Sequence, residues 1–342
     1  MSFDLILPFL RPIAHLILDP EITEVMVNGS GRIFIEREGR VEAIDGVTVR
    51  EQNLRVAVRN LARALGDDIS DERPLLDSRL PDGSRVAAVL PPVSLGGTTL
   101  TIRKFQSRHY TADELVRIGT LAPNQLEAIQ QAMRARHNIL ISGGTGTGKT
   151  TLLNALVALL PAADRLIVIE DIAELQLEAA NVVRFEARRE QAGLPAVTIR
   201  DLLRATLRHR PDRILVGEVR GGEAFDLLQA LNTGHSGTLS TIHANSAEQA
   251  LRRFASCVLQ SGVDLPYPAI RHGIAEGIQH VVHLERRNGR RVLTELLRVR
   301  RYDVVTDTYD LEPNNLSPGP PPPGVLTPGA LARRRAPRRN HD

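Results

Sequence analysis

The chain has 342 residues, enough for two domains with their own cores, and its 42% hydrophobic and 24% charged content is that of a folded globular protein. A formal charge of +3 is too small to argue for a nucleic-acid binder. An aromatic content of 3% without tryptophan removes the stacking platforms that single-stranded nucleic acid uses. A lone cysteine, Cys257, excludes an internal disulfide, suits a reducing compartment and reads as a small core residue.

In chain order, residues 3–18 are apolar, but Asp4, Pro8, Arg11, Pro12 and His15 interrupt them. They carry neither a basic start nor a small-residue cleavage site, so they read as a docking segment rather than a membrane element. Residues 22–27 and 32–36 are β-rich around the turn Asn28-Gly29-Ser30-Gly31, which predicts a hairpin. Residues 49–65 have helical spacing. Leu80-Pro81-Asp82-Gly83 is a turn, and residues 85–90 and 98–103 read as strands. The first 112 residues therefore predict a small α+β domain.

Residues 113–118 and 124–136 read as helices joined by Leu121-Ala122-Pro123. Strands are predicted at 138–141, 166–169, 182–183, 214–216 and 237–242, with helices at 151–160, 197–208 and 224–231 among them. That alternation signals a parallel sheet wound with helices. Helices at 247–261 and 269–278 and a hairpin across Asn288-Gly289 complete an α/β domain over residues 113–311. Residues 312–342 are a Pro/Arg-rich tail, with polyproline around Pro320 and a basic end at Arg333, Arg334, Arg335, Arg338 and Arg339; this composition predicts disorder.

The chemistry concentrates at Gly143-Gly144-Thr145-Gly146-Thr147-Gly148-Lys149-Thr150, which fits G-x-x-x-x-G-K-[ST]. The apolar run Asn138-Ile139-Leu140-Ile141 precedes it and a helix-forming run from Thr151 follows. Strand, glycine loop and helix are the context a phosphate-binding loop requires. Glycines let backbone N–H groups close on a polyphosphate, and the helix N-terminus adds its dipole. Lys149 supplies a compact charge and the Thr150 hydroxyl a ligand for Mg²⁺. Lys104 and Lys149 are the only lysines in a chain of 43 basic residues, so arginine is avoided where a point charge is needed.

Two further strands run into acids. Leu166-Ile167-Val168-Ile169 ends in Glu170-Asp171-Ile172-Ala173-Glu174, and Ile214-Leu215-Val216 in Gly217-Glu218-Val219-Arg220. Buried strands ending in carboxylates place them at a cleft or a metal, as in a Walker B segment. His235 and His243 flank the apolar and hydroxyl run 236–242 and suit a phosphate sensor or hydrogen-bond relay. Neither lies at a zinc-type spacing with Cys257.

These four segments, in this order and spacing, resemble the secretion traffic ATPases, which power type II secretion, type IV pili, type IV secretion and conjugation. Ile22-Thr23-Glu24-Val25-Met26-Val27-Asn28-Gly29, Leu80-Pro81-Asp82-Gly83-Ser84-Arg85 and Leu100-Thr101-Ile102-Arg103-Lys104 look most like the tight-adherence pilus and conjugative-transfer branch. The four-cysteine insertion of type II members is absent. The resemblance implies an α/β fold, with a C-terminal RecA-like P-loop NTPase domain and a smaller α+β N-terminal domain; the sequence departs from many pilus-branch members in starting almost at the first strand. The resemblance also implies ATP and Mg²⁺, with nucleotide held by Gly143, Gly144, Thr145, Gly146, Thr147, Gly148, Lys149, Thr150 and Thr151. Thr150 would ligate Mg²⁺ and Glu218 would act on it through water. Glu174 would polarise the attacking water, His235 and His243 form a histidine box, and Arg85 and Arg103 reach the γ-phosphate region. It further implies a cytoplasmic homo-hexamer, peripheral to the inner membrane through platform proteins, with no direct nucleic-acid readout. Two other readings compete: a nucleic-acid translocase on a similar core, which DNA-stimulated turnover would reveal, and a scaffold that binds ATP without hydrolysing it.

Overall fold

The computed structural model describes residues 7–29, 31–37, 39–105, 110–177, 179–188, 190 and 194–313. The tail beyond Pro313, and with it the polyproline and basic end, lies outside the described residues, as do residues 1–6.

The first lobe is one antiparallel sheet with helices on one face. Its strands are β1 (Ile22–Val27), β2 (Ile33–Arg37), β3 (Arg40–Ile44), β4 (Leu75–Arg79), β5 (Arg85–Val89) and β6 (Thr99–Arg103), in the order β3-β2-β1-β6-β5-β4. In β1 the inward residues are Ile22, Val25 and Val27, which breaks strict alternation. An irregular register between Ile22 and Glu24 accounts for the skipped step. The helices α1 (Ala14–Leu18) and α2 (Glu51–Ala64) close the core. Leu10 and Ile13 ahead of α1, and Ile17 within it, are at no more than 1% exposure, so the apolar start docks on its own sheet. The Glu51 carboxylate at the start of α2 accepts from the Thr98 backbone N–H (2.9 Å) and hydroxyl (2.6 Å), fixing the helix to the loop before β6.

The second lobe is a doubly wound sheet. Its strands are β7 (Ile139–Gly143), β8 (Leu166–Glu170), β9 (Val182–Glu186), β10 (Arg213–Val219), β11 (Leu239–His243), β12 (His280–Arg287), β13 (Arg290–Asp303) and β14 (Thr308–Pro313). The order is β14-β13-β12-β7-β11-β10-β8-β9, parallel from β12 to β9 and antiparallel through β13 and β14. Helices α3 (Ala112–Arg117), α4 (Pro123–Arg134) and α5 (Lys149–Val157) cover one face. The other carries α6 (Ile199–Thr206), α7 (Glu223–Asn232), α8 (Ala247–Leu259) and α9 (Tyr267–Gly277). Period-two alternation divides the strands between two cores: Ile139 and Ile141 face α3–α5, while Leu140 faces α6–α9. With both faces covered, parallel strands read as continuous apolar runs, which is how they appear in the sequence.

Helix α5 ends at Val157 rather than at Leu160. The next amides make i→i+3 bonds, Leu159 N–H to Leu156 O and Leu160 N–H to Val157 O (both 3.0 Å), a tightened last turn before Pro161. Strand β14 continues through Glu312 and Pro313, the first two residues of the segment read as tail. Cys257 is fully buried in α8. No helix among the described residues is long and apolar enough to cross a membrane.

At the amino ends of the strands, buried polar groups fix the register. Asn138 donates to Gly277 O (2.7 Å), its side-chain oxygen accepts from Thr238 N–H (2.9 Å), and its own N–H bonds Gln279 Oε1 (2.9 Å), which ties the starts of β7, β11 and β12. Beside it His137 Nδ1 lies 3.0 Å from His280 Nε2 with the rings stacked. Burial, the facing His137 and the guanidiniums of Arg298 and Arg300 lower the His280 pKa from 6.5 to about 4. A depressed pKa means that the folded state favours the neutral ring. Stability is therefore full above pH 6.5 and falls as the pH drops from 6.5 toward 4, where only the unfolded chain takes up the proton. We expect a loss of at most about 3 kcal/mol from this site across that window. Urea unfolding at pH 7 and pH 4.5 should show it, and His280→Phe should remove this part of the pH dependence.

Candidate active site

The carboxyl ends of β7, β8, β10 and β11 meet at one edge of the second lobe, where a wound sheet leaves a crevice. Strand β7 delivers Gly143, the loop turns over residues 144–148, and α5 begins at Lys149. Gly148 sits at φ +96° immediately before the helix, a backbone conformation that side chains disfavour, so the loop can turn directly into the first helical N–H groups. Lys149 is 8% exposed. Its amine donates to the loop's own carbonyls, Gly143 O at 3.0 Å and Gly144 O at 2.9 Å, and lies 3.3 Å from His243 Nε2. Burial lowers the Lys149 pKa, while the carboxylates of Glu218 and Glu174 oppose the shift.

Glu170 closes β8 at 2% exposure, and its Oε1 accepts from the backbone N–H groups of Glu174 and Leu175, both at 2.8 Å. Burial raises its pKa, and these two bonds and the Arg184 guanidinium at 3.4 Å hold it down. Gly217 on β10 makes room for it: a Cβ there would stand 3.0 Å from Glu170 Cγ. The loop 171–175 thus curls around Glu170 and brings Glu174 to the start of α5, where Thr150 Oγ1 is 3.5 Å from Glu174 Oε2.

Glu218 leaves the plane of β10 where the register with β11 shifts between Val216 and Val219. It lies between Arg220 Nη2 (2.7 Å) and His243 Nε2 (3.0 Å). His243 Nε2 can serve one neighbour at a time: protonated it donates to Glu218, unprotonated it accepts from Lys149. Burial and the Lys149 charge lower its pKa against the pull of Glu218. Arg220 reaches on to Asp171 (3.1 Å). Thr150, Glu174 and Glu218 offer hydroxyl and carboxylate oxygens, the hard donors that Mg²⁺ takes.

The opposite wall comes from the first lobe. Arg85 opens β5, Arg103 ends β6, and the two are register partners. Both line the same cleft of about 420 Å³ as Lys149, Glu174, Glu218 and His243. His235 is the exception among the residues singled out in the sequence. It precedes β11 at the amino end of the strand and does not line the cleft. The five residues of β11 alone put roughly 16 Å between it and His243's end. Its N–H is bonded to Ala230 O (3.2 Å), and its Nδ1 is buried without a partner among the described residues. The two histidines of the segment thus serve opposite ends of the sheet.

Two arginines that the sequence did not single out touch the site. Arg291, from β13, donates from Nε to Gly146 O (3.1 Å) on the phosphate loop. Arg79, at the end of β4, crosses between lobes to donate to Ala173 O (2.6 Å) and to Glu186 (2.8 Å). Arg291 belongs to an Arg-rich run, and Arg79 stands among unremarkable neighbours, so no spacing marks either.

The comparisons with known proteins agree with this geometry. A family model described as Type II/IV secretion system protein matches residues 10–303. Conjugal transfer protein TrbB of Rhizobium radiobacter is 38% identical over 288 residues, spanning 83% of this chain and 85% of that one. Type IV secretion system protein PtlH of Bordetella pertussis is 37% identical over 294 residues, 79% of this chain and 87% of that one. The solved structure of the Legionella pneumophila ATPase DotB covers 86% of this chain and 81% of its own with a TM-score of 0.61 at 21% identity, which shows a common fold. Strand order, phosphate loop and sequence relatives converge on one assignment: the chain belongs to the type II/IV secretion system protein family.

Proposed function

We propose that this protein binds ATP in the cleft between its lobes and hydrolyses it to ADP and phosphate, and that this turnover powers a bacterial type IV secretion or conjugation machine. One observation carries the reading: a phosphate loop, two carboxylates and two first-lobe arginines converge on one cleft of about 420 Å³. The names of the relatives TrbB and PtlH, one for conjugal transfer and one for type IV secretion, support the choice of machine over a pilus motor.

In this reading the loop amides from Gly143 to Gly148 and the first N–H groups of α5 bind the phosphates, and Lys149 exchanges its carbonyl partners for phosphate oxygens. Mg²⁺, when bound, would neutralise phosphate charge, with Thr150 holding it directly and Glu218 through water. Glu174, beside Thr150, takes the position to orient and polarise the attacking water. Arg85 and Arg103 supply positive charge from the side opposite the loop, where a γ-phosphate needs it. His243, between Lys149 and Glu218, reports on both. We read residues 1–112 and 113–311 as two domains that close on the nucleotide. The working form is a homo-hexamer in the cytoplasm, held at the inner membrane by platform proteins.

Binding and chemistry separate by substitution. Lys149→Ala should lose both nucleotide binding and turnover, with an unchanged circular dichroism spectrum. Glu174→Gln should keep binding and lose turnover, because the amide keeps the shape but cannot polarise water. A Glu174→Gln protein that releases phosphate at half the wild-type rate or better would remove Glu174 from this role. DNA that stimulated turnover severalfold would favour the translocase reading instead.

The first-lobe arginines make a second test. Arg103→Ala should lower turnover by on the order of 10³-fold while ATP affinity changes less, as for a residue that acts on the transition state. Arg85→Ala should act in the same direction. Light scattering with and without ATP reports assembly. Normal turnover in both variants, or full turnover by a strictly monomeric protein, contradicts the closure between lobes.

A further inference from the structure

We propose that His283, Glu285 and Glu295 bind a divalent transition-metal ion behind the phosphate loop, at a site separate from the nucleotide cleft. His283 and Glu295 are register partners on β12 and β13, and Glu285 follows His283 by two residues on the same face. One ligand atom from each residue lies within 4.8 Å of the others. None of the three lines the cleft.

The imidazole is set up as a ligand. His283 is 1% exposed. Its Nδ1 is 2.9 Å from Ser142 Oγ, and the Ser142 hydroxyl gives its own hydrogen to Val282 O at 3.2 Å. Ser142 therefore accepts from Nδ1–H, which leaves the lone pair on Nε2. That nitrogen faces Glu285 Oε1 at 3.8 Å, beyond hydrogen-bond range. An unprotonated nitrogen and a carboxylate oxygen are both acceptors, so neither can hydrogen-bond the other. A cation between them satisfies both.

The carboxylates are oriented from outside the cluster, as ligands usually are. Glu295 accepts at Oε2 from the N–H of Ala247, the first residue of α8 (3.1 Å). Glu285 accepts at Oε2 from Arg287 Nε (2.8 Å). Thr294 adds a side-chain hydrogen bond to Glu285, and each carboxylate has further lone pairs to give an ion. One imidazole nitrogen with two carboxylates suits Mn²⁺, Fe²⁺, Co²⁺ or Zn²⁺, whereas Mg²⁺ and Ca²⁺ favour oxygen alone. An ion here would join β12 to β13, and through the hydrogen bond from His283 Nδ1 to Ser142, the residue before Gly143, it would bear on the root of the phosphate loop.

The test uses the full-length, nucleotide-free protein stripped with a chelator and titrated with Co²⁺, whose visible absorption reports nitrogen and oxygen ligation. We expect one tight equivalent, displaced by Zn²⁺ and untouched by Lys149→Ala. His283→Gln and Glu295→Gln should abolish the band. Glu285→Gln, at a partly exposed position that leaves the fold unburdened, should weaken Co²⁺ at least about tenfold. Absence of the band from the wild-type protein overturns the proposal, and so does an affinity unchanged in Glu285→Gln and Glu295→Gln.

Discussion

A single buried carboxylate organises the nucleotide edge of this protein. Glu170 sits at the end of a central strand where water does not reach, and it is tolerable there only because two backbone N–H groups and an arginine meet it. Those N–H groups belong to the loop that carries Glu174, so satisfying the buried charge also sets the loop's path. Leaving one such donor unpaired costs about 1–3 kcal/mol, comparable with a sizeable part of a domain's net stability. Gly217 on the neighbouring strand belongs to the same constraint, since any side chain there would press on Glu170. A glycine at this point of β10 is thus a matter of space. The acid that borders the cleft is the following residue, Glu218, turned by a register shift.

The parts of the fold that the sequence disclosed are those whose side chains meet a core on both faces or at a regular period. The central strands β7, β8, β10 and β11 are apolar throughout and were legible as runs. Helix α2 was legible from its period. The strands that escaped are β3, β4 and β14, each at the edge of its sheet. Strand β3 has no buried residue and β4 only Leu76, so neither carries an alternation strong enough to read. Strand β9, the remaining edge, showed only as Val182-Val183. Edge strands are specified by the backbone of their neighbours, and that information is not local.

The site divides in a similar way. The phosphate loop could be named in advance because its chemistry fixes its spacing, and the two strands that end in acids could be placed at the cleft; the choice of Glu174 among three acids, and of Glu218 and His243 for their roles, came with the family resemblance. Arg85 and Arg103 were legible only through the family resemblance; the paired register that brings them together is a property of the sheet. His235 shows the limit of reading by proximity in sequence. A histidine at each end of a strand suggests a pair, yet a strand is also a spacer, and this one carries its two ends to opposite edges of the sheet. Arg79 and Arg291 lie far in sequence from what they touch, in a chain so rich in arginine that one more carries no signal.

The bond from Arg79 to Ala173 has a mechanical meaning. It begins on an edge strand of the first lobe and ends on the loop that Glu170 shapes, one residue before Glu174. The same guanidinium holds Glu186 on the far strand of the second sheet. The two lobes therefore cannot swing apart as free plates about a hinge. Any separation must first break these contacts or drag the Glu174 loop with it, so tension between the lobes is felt at that carboxylate before the phosphate loop itself has to move.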